Sequence, residues 1–117
     1  MKYEIRITEH KHPVSYVVFE EDKNDLLGEF LLAERSFRRE LLSLTNDVDL
    51  GMSEAESFTS NAFTLELTKD TCKITNDSDS RELEVPTKEF KALLLDYIYK
   101  LREIRVKEKM ASHKHDH

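Results

Sequence analysis

Phe63-Thr64-Leu65-Glu66-Leu67, Cys72-Lys73-Ile74-Thr75 and Glu82-Leu83-Glu84-Val85, closed by Pro86-Thr87, decide the fold. In each run apolar and polar residues alternate, the period of a strand with one covered face. The links Lys69-Asp70 and Asn76-Asp77-Ser78-Asp79-Ser80 are short and polar, so the three runs form an antiparallel meander. Pro86 cannot donate to a ladder and ends the sheet, and Thr87 is placed to cap a helix. Phe90, Leu93, Leu94, Tyr97, Ile98, Leu101 and Ile104 then recur at steps of three and four, tracing a helix to Lys107 or Lys109. Lys and Arg gather toward its C-terminal end, where they complement the helix dipole.

Toward the N-terminus, Tyr3, Ile5 and Ile7 alternate with Lys2, Glu4, Arg6 and Thr8 as a further strand. His10-Lys11-His12-Pro13 breaks it, and the almost continuously apolar Val14–Phe19 follows as a second strand, giving a hairpin. Glu20-Glu21-Asp22 precede a helix, with Asp22 or Asn24 as N-cap. Leu26, Phe30, Ala33, Phe37, Leu41 and Leu44 mark its core stripe from Asp25 to about Leu44, widened by Leu27, Leu31 and Leu42. Thr45–Asn61 has no such order; Ser53 and Glu56, at capping-box spacing, predict one short helical turn inside it.

The order β-β-α-β-β-β-α predicts a two-layer α+β sandwich, an antiparallel sheet of about five strands packed by two helices. One domain is expected over residues 1–109, with a disordered, His-containing tail over 110–117.

Composition narrows the functional classes. No apolar run approaches the ~20 residues that span a bilayer, and the N-terminus lacks the apolar stretch of a secretion signal. With Cys72 as the only cysteine no intramolecular disulfide forms, which suits a reducing cytoplasm. The formal charge is −6; residues 1–99 carry 12 Lys/Arg against 21 Asp/Glu. An acidic body repels a phosphate backbone and attracts a basic protein, so neither nucleic acid nor membrane is an expected partner.

Catalytic chemistry finds no constellation. Cys72 occupies the apolar side of a strand, as a buried inert thiol does. The histidines, His10, His12, His113, His115 and His117, are confined to one turn and the tail, where no base is held in place. His113, His115 and His117 with Asp116 have the alternation of an adventitious metal-gripping tail. Asp47-x-Asp49 and Asp77-x-Asp79 resemble the opening of a calcium loop but lack its later Gly and Glu. The two glycines, Gly28 and Gly51, build no phosphate cradle. Arg35, Arg38 and Arg39, with Glu34 and Glu40 nearby, read as a solvated, self-paired helix face. Lys100, Arg102, Arg105, Lys107 and Lys109, interspersed with Glu103 and Glu108, read the same way. No enzyme activity, cofactor, metal or small-molecule substrate is expected.

A binding surface remains. Its candidates are Asp47, Asp49, Glu54 and Glu56, and a second group, Asp77, Asp79, Glu82 and Glu84. Clustered carboxylates present a basic nuclease with the charge of the phosphates it binds; taken one at a time, such clusters are also ordinary solvated loops.

The run from Phe63 through Lys73-Ile74-Thr75-Asn76 to Glu82-Leu83-Glu84-Val85-Pro86-Thr87-Lys88-Glu89-Phe90, with Leu93, Leu94, Leu95 and Tyr97, resembles small bacterial immunity proteins of polymorphic-toxin and contact-dependent growth inhibition systems. The resemblance covers about residues 61–104 and carries no functional residue with it. It implies a cytoplasmic protein that binds and neutralises one cognate toxin, often a nuclease. The alternative is a cytosolic secretion chaperone for a bacterial effector, which dimerises through an exposed apolar face; Leu27, Leu31, Leu95 and Tyr99 are the candidates for that face.

Overall fold

The computed structural model describes residues 1–9 and 11–115. Its architecture is α+β, with two antiparallel sheets and three helices. Strands β1 (Tyr3–Ile7) and β2 (Ser15–Phe19) form a hairpin with Tyr3 opposite Phe19 and Ile5 opposite Val17. Helices α1 (Asp25–Ala33) and α2 (Arg38–Asp49) follow, then β3 (Ala55–Thr59), β4 (Phe63–Thr68), β5 (Thr71–Asn76) and β6 (Glu82–Pro86), and last α3 (Thr87–His115).

The meander is present as the alternation predicts, in the order β3-β4-β5-β6, with Leu65 opposite Ile74 and Cys72 opposite Val85. Phe58, Phe63, Leu65, Leu67, Cys72, Ile74 and Val85 fill its inner face. Helices cover that face, and each fully buried Leu or Phe contributes about 1.5–3 kcal/mol of transfer free energy. Phe30 of α1 is the hub, its ring 5.5 Å from Phe63 and 6.4 Å from both Phe58 and Phe90.

Three expectations are corrected in detail. The strands number six and are divided between two sheets, because the β1–β2 hairpin packs on α1 and α3 instead of extending the meander. Gly28 makes that packing close: a Cβ there would lie 3.1 Å from the Val17 carbonyl oxygen and 3.3 Å from the Phe19 ring. The helix expected over 25–44 is two helices, interrupted by a 3-10 turn at Arg35–Phe37. There Arg35 donates to the Leu32 carbonyl at 2.6 Å and Arg38 to the Arg35 carbonyl at 2.9 Å, occupying acceptors that a continuous helix would use. The turn shifts Phe37 off the core stripe, leaving it 45% exposed against Phe58. Finally, Thr45–Asn61 holds the last turn of α2 and all of β3, and the helical turn expected at Ser53–Glu56 is the start of that strand.

Other positions also differ from their sequence reading. Asn24 stands at the N-cap of α1 without a side-chain cap bond. The Thr87 hydroxyl is buried and donates to the Thr68 carbonyl at 2.7 Å, tying α3 to the β4–β5 turn. Leu27 and Leu31 are core residues, so of the proposed apolar face only Tyr99 is exposed and Leu95 half-buried. Helix α3 continues to His115, past Lys109 and into the segment expected to be a disordered tail. His10, Asp116 and His117 lie outside the described residues. No described helix is long and apolar enough to cross a membrane.

Candidate partner-binding surface

The first acidic group is built around the end of α2. Leu50 donates to the Asn46 carbonyl at 2.9 Å, Gly51 to Val48 at 3.2 Å, and Met52 and Ser53 both to Asp47 at 2.8 and 3.1 Å. Gly51 takes φ +74°, the left-handed conformation that reverses the chain after a helix at little cost only for glycine. Four backbone bonds thus hold a tight turn, and it displays two large apolar side chains: Leu50 is 68% exposed and Met52 75%.

The four acids of this group have different surroundings. Glu54 is exposed beside the turn, while Asp47 is half-buried with its carbonyl committed to the turn. Asp49 is engaged internally, accepting from Lys91 Nζ of α3 at 2.8 Å. That bond, with the charges of Lys91, Lys88 and Lys69, holds the Asp49 carboxyl below the usual carboxylate range. Glu56 is half-buried on the row of β3 that also carries Phe58.

The second group lies toward the opposite edge of the meander, which spans about 14 Å from β3 to β6 at normal strand spacing. The Thr64 hydroxyl donates to both oxygens of Asp77 at 3.0 and 3.1 Å. Asp79 accepts from Arg81 Nε at 2.7 Å, and the Arg81 fork donates to both oxygens of Glu29 on α1 at 2.8 and 3.1 Å. This three-charge bridge fastens the β5–β6 turn to α1. Hydrogen bonds from the Arg81 backbone and side chain keep the Asp79 carboxyl low, and the two carboxylates push the Arg81 guanidinium up. Glu82 lies 3.6 Å from Lys73, which also stands opposite Glu84 on the outward face.

The eight candidate acids therefore form two separate groups, and the bonds of Asp49, Asp77 and Asp79 also serve the fold. Leu50 and Met52 are missing from the sequence reading. Their only signal is Gly51, a glycine just past a periodic helical stretch, which marks a reversal but does not say that its apolar neighbours are exposed.

Two clefts flank the N-terminal hairpin. One, about 310 Å³, runs along the hairpin beside Tyr3, Arg6 and Phe19; the other, about 330 Å³, lies between the N-terminus and β6. Neither is lined by a histidine, cysteine, serine or threonine. Tyr3 donates to Asp96, and burial together with that carboxylate pushes its hydroxyl up to about 12. Cys72 is fully buried, and burial alone pushes its thiol up. Among the described residues no three His, Cys, Asp or Glu side chains are grouped to hold a metal.

Arg35 and Arg39 are exposed, as a solvated face requires, but the expected pairing with Glu34 and Glu40 is not formed. Glu34 is buried, and none of Arg35, Arg38 and Arg39 forms an ion pair among the described residues. Comparison with protein-family models, with curated proteins and with solved structures finds no match for this chain.

Proposed function

We propose that this chain is a cytoplasmic immunity protein that binds and neutralises a cognate bacterial toxin, a basic nuclease domain, through the α2–β3 turn and the acids around it. The observation that carries the reading is the rigid display of Leu50 and Met52 beside Asp47 and Glu54. Strong protein interfaces combine a few apolar anchors with a charged rim, and a turn fixed before binding loses little entropy when it docks. The −9 balance of residues 1–99 steers a basic partner toward this body and speeds encounter. Inhibition in this scheme requires occlusion of the toxin's active site and no chemistry by the inhibitor.

The test is affinity capture from the source cells, followed by titration of the captured partner with variants. A single basic toxin domain near one-to-one stoichiometry supports the reading, as does a loss of about 100-fold or more in affinity for Leu50→Asp/Met52→Asp. A partner bound equally well by that double variant and by Glu54→Lys would remove this surface from the proposal.

The secretion-chaperone alternative draws on a different observation. Tyr99, Val106 and Met110 are exposed along one side of α3, a face suited to pairing with a second copy. A stable dimer that captures an unfolded effector segment, and no folded toxin, would favour that alternative.

A further inference from the structure

Helices α2 and α3 run antiparallel: the Asp49–Lys91 pair joins them at one end, and Arg38 and Arg39 meet Ile98, Arg102 and Arg105 at the other. Arg102 and Arg105 follow Ile98 by four and seven residues, so all three share one face of α3. Together these five residues line a groove of about 50 Å³. Its four arginines come from segments about 60 residues apart and line one groove only because of the fold.

None of the four arginines forms an ion pair among the described residues. Glu103 pairs with Lys100 at 3.2 Å, and among the described residues the Arg38 side chain donates to the Arg35 carbonyl alone. Four like charges around one small concavity repel one another, and that repulsion is relieved by a compact anion seated between them. The α2 wall of the groove is the first turn of that helix, whose Phe37 and Arg38 amides are bonded to the preceding 3-10 turn, so the arginine side chains are the donors left for an anion.

We propose that this groove binds a tetrahedral phosphate dianion, either free hydrogen phosphate or the monoester phosphate of a small phosphorylated molecule. Guanidinium forks match the oxygens of a tetrahedral phosphate and donate to them in pairs. The groove holds one such group and not a polymer. The acidic body repels a nucleic-acid backbone that would run beyond it. The site stands about 17 Å along α2 from the Leu50–Met52 turn, so it is independent of the partner surface proposed above.

The test is nuclear magnetic resonance titration of the full chain at constant ionic strength. The probes are inorganic phosphate, adenosine monophosphate, sodium chloride as control, and a 20-nucleotide oligothymidylate. Saturable shifts of the four arginine Nε–H signals with phosphate, but not with chloride, support the site. Arg102→Gln/Arg105→Gln is expected to weaken phosphate binding by about ten-fold or more, since two charged hydrogen-bonding groups are lost. Lys23→Gln/Lys69→Gln, the same charge change elsewhere, leaves binding within about two-fold. Tighter binding of the monophosphate than of phosphate assigns the site to a phosphorylated small molecule, and equal binding assigns it to free phosphate. Shifts that follow ionic strength alone, shifts that persist in Arg102→Gln/Arg105→Gln, or oligonucleotide binding far tighter than that of the monophosphate would overturn the proposal.

Discussion

Lys91 Nζ donates to the Asp49 carboxylate at 2.8 Å, and this bond joins the last turn of α2 to the second turn of α3. Both side chains are largely covered, Asp49 at 18% and Lys91 at 25% exposure. The pair anchors the root of the turn that displays Leu50 and Met52.

The bond has a pH signature. Because Lys91 lowers the folded-state pKa of Asp49, the stabilisation is fully present above the ordinary carboxylate value of about 4 and is lost as pH falls through the lower folded value. Asp49→Asn is therefore expected to be less stable than wild type at pH 7, with the gap closing at strongly acidic pH. Urea melts across that range check this; a gap independent of pH would show that the charge is not its source.

Tyr97 is buried, and its hydroxyl donates to the Ser15 carbonyl at 2.9 Å, linking α3 to the hairpin. Tyr97→Phe keeps the ring and deprives a buried carbonyl of this donor, at a cost of about 1–2 kcal/mol. Equilibrium denaturation reads the loss directly. An unchanged midpoint would mean that hairpin docking does not depend on this bond.

Gly28 lies where α1 crosses β2. In Gly28→Ala the helix gains about 1 kcal/mol of propensity, offset by crowding against the Val17 carbonyl 3.1 Å away. Gly28→Val adds further atoms against the same oxygen and the Phe19 ring, and is expected to destabilise by about 1–3 kcal/mol. Wild-type stability in the Val variant would refute close packing at this crossing.

Cys72 is sealed in the meander core, its thiol pushed up by burial. Since only thiolate reacts, labelling by a disulfide reagent is expected to be negligible in the native protein and complete in denaturant. Rapid labelling under native conditions would place Cys72 in an opening segment.

Much of the fold is legible in the sequence, and what escapes does so for physical reasons. Strands β4, β5 and β6 show because each alternates without interruption between short polar links. The break after α1 is invisible because a three-residue turn barely shifts the phase: Phe30, Phe37 and Leu41 still keep helical spacing, although Ala33 and Phe37 leave the core. Strand β3 hides because it is an edge strand with one buried residue, Phe58, and so has no alternation to detect. The division into two sheets depends on which edges meet, and side-chain pattern says nothing of that. At the candidate surface the acids are readable, but the Asp79–Arg81–Glu29 bridge spans 52 residues and emerges only on folding. The arginine groove is hidden for the same reason.

Every ladder in both sheets joins strands that are neighbours along the chain: β1 with β2, and β3 through β6 in order. All strand pairing is therefore short-range, and forming it requires closure of only small loops. The packing of α3 on the hairpin is the long-range part of the fold, with Tyr97 reaching Ser15 across 82 residues. During synthesis the hairpin can close before the first helix is complete. Only the seating of α3, which contributes Phe90, Leu93, Leu94 and Tyr97 to the core, requires the two ends of the chain to meet.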